Sequence, residues 1–493
     1  MPKNNIIFIT TDEQHLSTIS ACGAVTHKTP NIDFLLNNGC NYTNAYSVSP
    51  VCLPARCSWM TGLYPHNSGC ISNIFGASLS SDRPNLFTQL KEAGYHTSMH
   101  GKCHFIPVPY PATRPDMTLE YEHFISYYKT LGMDRLDLQD DKNNSLWYYD
   151  DYSKELECKD LLTEYRNAAH MSPENHGVFD FPHDASLHPD AWVAQRTIEQ
   201  IENSDEHPHF VWASFSGPHY PVDTPRSYTD RVNIAADPGR IFDRNEWDDS
   251  SKYHCRGFWG PGTTEGSGHA KDGAQKNYTE EYWAHWRQCY FGNVVLIDEW
   301  IGKILEAAQA KWGDDFTVVF TADHGEMMGN HSLWGKNGSL FEDVIRVPLA
   351  IYTPVGQPQE RKQMVSSLDV FPTIMRLAGA SLPQNCDGME LEELCNGGGR
   401  TYIISECENR VAVVKDGLKL EWNFMQPTGV MHKEFYDLNS DPYEFKNCYD
   451  NPAYSEAISE LEALLDSKEK QEGMLSTVFY TGSKKPYWFC GSR

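Results

Sequence analysis

The chain has 493 residues, with 41 Lys+Arg against 67 Asp+Glu, a formal net charge of −26, and 40 % hydrophobic residues. That apolar fraction supplies a large buried core and excludes intrinsic disorder as the main state. The acidic balance opposes phosphate backbones and anionic lipid surfaces, so neither nucleic acid nor a membrane is an expected partner.

In chain order, Asn5–Thr11 is a continuous apolar run of the kind found in buried parallel strands. Its apolar core is too short for a secretory signal, and no run of 18 apolar residues occurs anywhere, so the expected location is cytoplasmic. Pro30–Asn38 reads as a helix with Thr29 as N-cap and Gly39 as stop. Pro84–Ala93 repeats that logic, stopped by Gly94, and a strand follows at His96–Met99. Phe210–Phe215 and Phe316–Thr321 are further apolar strands. Residues 105–200 and 222–275 read as long insertions, where substrate-reading loops sit. Gly260–Gly266 superficially looks like a phosphate-binding loop but follows no predicted strand, so it reads as a flexible loop. Asn396–Gly399 reads as a loop near a domain seam, followed by strands at Tyr402–Ser405 and Val411–Lys415 and a helix at Ala453–Leu465.

The expected fold is therefore α/β, with a large mixed, mainly parallel sheet flanked by helices. Residues 1–385 form the catalytic unit. Residues 386–493 form a smaller C-terminal α+β subdomain with an antiparallel sheet. The aromatic, basic tail Lys484–Phe489 reads as a subunit contact, as in a homo-oligomer, or as an active-site closure.

Fourteen cysteines occur with no Cys-x-x-Cys pair, so most read as reduced, buried, small hydrophobes. Four predicted strands each run into a polar cluster. These clusters hold Asp12 and Glu13, then Lys102 and His104, then His219, then Asp323 and His324. Open α/β sheets place ligands outside the carboxyl ends of their strands, so the four clusters point to one site. The acids suit Ca²⁺, Mg²⁺ or Mn²⁺, and the imidazole of His324 tilts the set towards Mn²⁺ or Zn²⁺. Lys102, His104 and His219 supply charge and donors for a tetrahedral oxyanion. In the segment Cys52–Gly62, Pro54 suits a first helical position and Gly62 a stop, which puts Cys52 just before a helix N-terminus where negative charge is favoured. Arg56 comes one turn later. His66 and His100 read as structural.

Cys52-Leu53-Pro54-Ala55-Arg56 followed by Thr61-Gly62 resembles the signature of the type I sulfatases of the alkaline phosphatase superfamily. Thr29-Pro30-Asn31-Ile32-Asp33, Gly101-Lys102-Cys103-His104, Gly217-Pro218-His219, Thr321–Gly325, Gly335-Lys336 and Tyr436-Asp437-Leu438 resemble further segments of that family, in the family's order. The resemblance implies an alkaline phosphatase-like fold and hydrolysis of the S–O bond of a sulfate ester. It implies that a maturing enzyme converts Cys52 to formylglycine, whose hydrate attacks sulfur. Asp12, Glu13, Asp323 and His324 would bind one divalent cation with residue 52, Ca²⁺ first, with Mn²⁺ or Mg²⁺ as alternatives. Arg56 would hold the hydrate. Lys102, His219 and Lys336 would contact the sulfate and leaving-group oxygens, and His104 the second hydroxyl of the hydrate. The substrate would be a small sulfated sugar or an aryl or alkyl sulfate.

Departures from the family pattern are Ala55 for Ser, Glu13 for Asp, Cys103 for Trp and His324 for Asn. The rival reading is a phosphonate monoester or phosphodiester hydrolase of the same superfamily. It draws on His324 and on Asn73, which resembles a substrate-contacting Asn of that branch. Lys102 and His104 weigh against it, because that branch has Tyr and Thr there.

Overall fold

The computed structural model describes residues 4–73, 77–106, 121–147, 150–170, 177–243, 245–256, 279–336, 339–425 and 430–478. The Gly260–Gly266 loop and the Lys484–Phe489 tail lie outside these residues. No described helix is long and apolar enough to cross a membrane.

Fourteen strands are described: β1 (Asn5–Asp12), β2 (Cys40–Tyr42), β3 (Ala45–Tyr46), β4 (His96–Gly101), β5 (Arg135–Leu138), β6 (His209–Pro218), β7 (Phe316–Ala322), β8 (Leu349–Tyr352), β9 (Gln359–Arg361), β10 (Val365–Ser366), β11 (Ile403–Cys407), β12 (Arg410–Lys415), β13 (Leu418–Met425) and β14 (Val430–Asp437). Eight of them form the main sheet in the order β5-β4-β6-β1-β7-β8-β2-β9. The run from β5 to β7 is parallel, and β8 is antiparallel to both its neighbours. The sheet is thus mixed and mainly parallel, as its alternating sequence predicts.

β1 lies at the centre and is buried throughout. Its side chains alternate between two cores because successive residues of a strand face opposite ways. Ile6 and Phe8 join Trp59, Leu86, Trp212 and Phe371 on one face. Ile7 and Ile9 join Leu35, Val193, Val211 and Ile301 on the other. A strand buried on both faces has no polar side to show, which is why β1 reads as unbroken apolar sequence.

Helix boundaries differ from expectation in instructive ways. The Pro30–Asn38 helix has the predicted limits, but Thr29 does not cap it with its side chain. Asp298 of the Glu280–Trp312 helix accepts from Asn31 N and Ile32 N instead, at 3.0 and 2.7 Å. The second helix begins at Leu86 rather than Pro84. Asn85 accepts from Phe87 N and Thr88 N, while Thr88 Oγ1 accepts from Asn85 N, a reciprocal cap that sets the start.

β11 to β14 form a separate antiparallel sheet, in consecutive order, covered by the Ser455–Glu472 helix. The Leu391–Asn396 helix precedes that sheet, yet Leu391, Leu394 and Cys395 pack in the core that contains Ile6 and Phe371.

Candidate active site

β1, β4, β6 and β7 all end at one edge of the sheet, and the polar residues just beyond them converge there. The sulfur of Cys52 lies 3.2 Å from His324 Nε2 and 3.8 Å from Asp12 Oδ1. One ligand atom each from Asp12, Cys52, Asp323 and His324 falls within 4.8 Å of the others, all four residues buried. Asp12, Glu13 and His219 form a second such group sharing Asp12.

Cys52 is the first residue of the Cys52–Thr61 helix, and Val51 is the extended N-cap. The helix therefore starts earlier than the sequence suggests, with Pro54 in its third position. Proline is tolerated there because first-turn N–H groups have no intrahelical partner. Asn73 Oδ1 accepts from Leu53 N at 3.0 Å, and Asn73 Nδ2 lies 3.8 Å from the Cys52 sulfur. Gly62, in the left-handed region at φ 68°, ends the helix as expected.

Arg56 is wholly buried and its hydrogen bonds go elsewhere than to residue 52. Nε donates to Asp323 Oδ2 (2.9 Å), Nη2 to Asp12 Oδ2 (3.0 Å), and Nη1 to Lys102 O and Ser214 Oγ. A planar guanidinium fork can bridge two carboxylates in fixed positions. Arg56 thus sets the two acids.

Lys102 Nζ lies 2.5 Å from Asp12 Oδ2 and 2.6 Å from Asp141 Oδ2. Its strand ends at Gly101 with φ 108°, where a Cβ would stand 2.0 Å from Ser214 O, so only glycine lets β4 approach β6 this closely. Cys103 N and His104 N both donate to Asp140 Oδ1, and Tyr128 OH to Asp140 Oδ2. His104 has a positive φ of 51°, an uncommon conformation held by these bonds, and its buried Nδ1 has no hydrogen-bond partner among the described residues. His219 Nδ1 lies 2.5 Å from Tyr220 O and donates to it, which turns Nε2 towards Lys336 Nζ (2.8 Å) and Glu13 Oε2 (3.1 Å). Lys336 Nζ also lies 3.2 Å from Glu13 Oε2. The Glu13 carboxylate thus faces Lys336 and His219.

The electrostatics follow from crowding charges away from water. Burial alone would push the Cys52 thiol up, but Lys102, Lys336 and His324 outweigh it and hold the thiol well below its usual value. Burial and the neighbouring Cys52 push the Asp12 carboxyl up, while Lys102, His219 and Arg56 hold it low. Asp323 is pushed up by burial and by the adjacent Asp12. His324 resists burial and is pushed up to about 9 by Asp323 and Cys52. Its Nδ1 lies 2.9 Å from Gly325 O and donates to it, so Nε2 presents a lone pair to the acids once the Nε2 proton leaves. Two mutually repelling carboxylates, an imidazole and residue 52 thus form a donor set that suits a divalent cation.

The nine residues proposed from sequence for the reacting centre, Asp12, Cys52, Arg56, Lys102, His104, His219, Asp323, His324 and Lys336, all sit at this edge, with Glu13 and Asn73 beside them. Sequence reasoning missed Asp140 and Asp141. They follow β5, a fifth parallel strand ending at the same edge, in a stretch read as insertion. It also missed Glu326, which accepts from Met328 N and Gly335 N and is pushed well up by burial and by Glu13. His66 bridges Glu406 and Glu472, and His100 bonds Asp137 and Ser98, both away from the site.

A family profile described as Sulfatase matches residues 4–380. The chain belongs to the sulfatase family. A second profile, N-sulphoglucosamine sulphohydrolase, C-terminal, matches residues 329–471. Among curated relatives, an arylsulfatase of Clostridium perfringens is 26 % identical over 96 % of both chains. A choline-sulfatase of Rhizobium meliloti is 27 % identical over 91 % of this chain and 83 % of its own. Among solved structures, a phosphonate monoester hydrolase of Agrobacterium radiobacter aligns with a TM-score of 0.77 at 21 % identity, covering 95 % of this chain and 96 % of that one. That likeness shows the shared alkaline phosphatase-like fold. The protein is a type I sulfatase and a sulfuric ester hydrolase.

Proposed function

We propose that this sulfatase cleaves the ester of a small sulfated sugar or an aryl or alkyl sulfate at residue 52, after conversion of Cys52 to formylglycine by a maturing enzyme. The observation that carries the reading is the placement of residue 52 at a helix start, within 4.8 Å of ligand atoms from Asp12, Asp323 and His324. When present, a hydrated formylglycine supplies a nucleophile and a divalent cation, Ca²⁺ by its oxygen donors, supplies a Lewis acid. Asp12, Asp323, His324 and residue 52 would hold that cation, with Glu13 at its edge, and Arg56 orients the two aspartates.

The remaining work falls to the chain's own donors. Lys102 and Lys336 bring positive charge to the sulfate and leaving-group oxygens, the latter being where negative charge develops as the S–O bond breaks. His219, with Nδ1 committed to Tyr220 O, offers Nε2 as the atom that hands a proton to the departing alcohol, recharged by Lys336. His104, hydrogen-bonded to residue 52, would take the proton of the hydrate's second hydroxyl.

A second reading, phosphonate monoester or phosphodiester hydrolysis, is favoured by Asn73 lying against residue 52 and by His324. One experiment separates the two. Sulfate and phosphorus-ester release is measured over sulfated mono- and disaccharides, aryl sulfates, choline sulfate and phosphonate monoesters, with Cys52→Ala as blank. Faster turnover of a sulfate ester supports the first reading; faster turnover of a phosphorus ester replaces it with the second.

A further inference from the structure

At the opposite end of the sheet from residue 52, three histidines and an aspartate meet. β4 and β6 run parallel with His96 opposite His209, so both strands start side by side. His207 stands two residues before His209, in the lead-in to β6. Asp205 lies in the preceding turn and accepts from His207 N at 3.0 Å.

The side chains are arranged around the carboxylate. His207 Nδ1 lies 3.1 Å from Asp205 Oδ1, and His96 Nδ1 lies 3.6 Å from Asp205 Oδ2. The His96 and His207 rings are stacked with centroids 4.3 Å apart. One ligand atom each from His96, Asp205 and His207 falls within 4.8 Å of the others. The three side chains are about half exposed, at 46, 48 and 54 %. His209 is buried and among the described residues its Nδ1 has no hydrogen-bond partner, so Nε2 carries the proton and donates to Asp205 Oδ1 at 3.1 Å. Among the described residues, Asp205 forms ion pairs with histidines and with no lysine or arginine. The buried group Glu246, His254 and His331 is different, because Lys252 already sits on the Glu246 oxygen that such an ion would need.

We propose that His96, Asp205 and His207 form a surface site for a late first-row divalent cation, with Zn²⁺ as its ion and His209 as the positioning residue that orients the carboxylate. Zn²⁺ takes imidazole nitrogen and carboxylate oxygen at about 2.0–2.2 Å in tetrahedral array, which spaces ligand atoms by roughly 3.3 Å. The separations of 3.1 and 3.6 Å run to different oxygens of Asp205, and one ligand atom from each residue lies within 4.8 Å of the others, so a small side-chain adjustment brings the set to that spacing. Water completes the fourth position. The net charge of −26 raises the local concentration of divalent cations at such a site. A bound ion ties the starts of β4 and β6, the strands whose far ends lead to Lys102 and His219. It therefore stabilises the fold without touching the reacting centre.

The test uses the full-length, untagged, metal-stripped protein. Zinc content after equilibrium dialysis against Zn²⁺ is compared for wild type, His96→Gln/His207→Gln and His207→Gln alone, together with thermal melts with and without Zn²⁺. Wild type is expected to hold one more equivalent than the double variant and to show the larger zinc-dependent rise in Tm. His207→Gln alone, at an exposed position that the fold tolerates, is expected to weaken that equivalent by about tenfold or more. With Ca²⁺ restored, sulfate release per converted residue 52 should be the same in all three. Equal zinc content and affinity in wild type and in either folded variant overturns the proposal. Failure of the sulfatase reading would leave this result unchanged.

Discussion

Replacing Arg56 by Met removes the group that holds Asp12 and Asp323 in place, and the structure sets the size of the effect. The guanidinium and both carboxylates have no exposed side-chain surface. Removing one partner from a buried ion pair costs about 3–5 kcal/mol, because the remaining charge is left without compensation. Unfolding entropy of about 2.1 cal/mol/K per residue, over the 493 residues of the chain, amounts to about 1 kcal/mol/K. Arg56→Met should therefore lower Tm by about 3–5 °C. A control at the exposed Lys303–Glu299 pair, Lys303→Met, should lower it by less than about 1 °C. Added Ca²⁺ should recover more of the loss in Arg56→Met than it adds to wild type, since it neutralises the same two acids. Differential scanning calorimetry reads all of this whether or not residue 52 has been converted. An Arg56→Met protein that melts with wild type, with no calcium-dependent recovery, refutes the claim that Arg56 sets the two carboxylates.

Three further outcomes follow from single contacts. Asp141→Asn leaves Lys102 with one carboxylate instead of two; turnover should fall, with a stability loss of about 1.5–3 kcal/mol by denaturant titration, and wild-type turnover would show that Lys102 needs no second anchor. His66 lies between Glu406 and Glu472, and although burial opposes its charge, the two carboxylates raise its pKa above the usual value. A raised folded-state pKa stabilises fully below about pH 6.5 and loses that contribution as pH rises through the folded value, so the Tm gap between wild type and His66→Gln should be widest in acid and close in base; a gap independent of pH rejects the charged pair. Gly101→Ala would set a Cβ 2.0 Å from the Ser214 backbone oxygen at a positive φ, so it should destabilise by about 3 kcal/mol or more, and a near-neutral result in denaturant would mean that β4 and β6 can separate freely.

Much of this architecture was legible because β1 needs apolar side chains on both faces, and β6 and β7 share that demand. The site was legible for a related reason: parallel strands deliver their polar ends to one edge, so Asp12, Lys102, His219 and Asp323 pointed to a shared place before any contact was known. Asp140 and Asp141 obey the same rule but follow β5, whose four residues are too few and too polar to stand out from the surrounding acids and aromatics. The direction of Arg56 was not legible at all. Its place one turn after residue 52 allowed it to reach back, but the fork closes on Asp12 and Asp323, and only three-dimensional placement of β1 and β7 decides that. The helix start at Pro30 was legible but its cap was not: Asp298, remote in sequence, accepts from the first-turn N–H groups, and no local pattern around Thr29 announces it.

The central claim is that sulfate esters are cleaved at a converted residue 52, and the most direct measurement pairs mass spectrometry with turnover. Protein is prepared with graded co-expression of a maturing enzyme. The fraction of tryptic peptide ending at Arg56 that has exchanged a sulfur and two hydrogens for one oxygen is then compared with sulfate release from the best substrate. The account predicts release proportional to that fraction, with none at zero conversion. Equal release from unconverted and converted protein would contradict it.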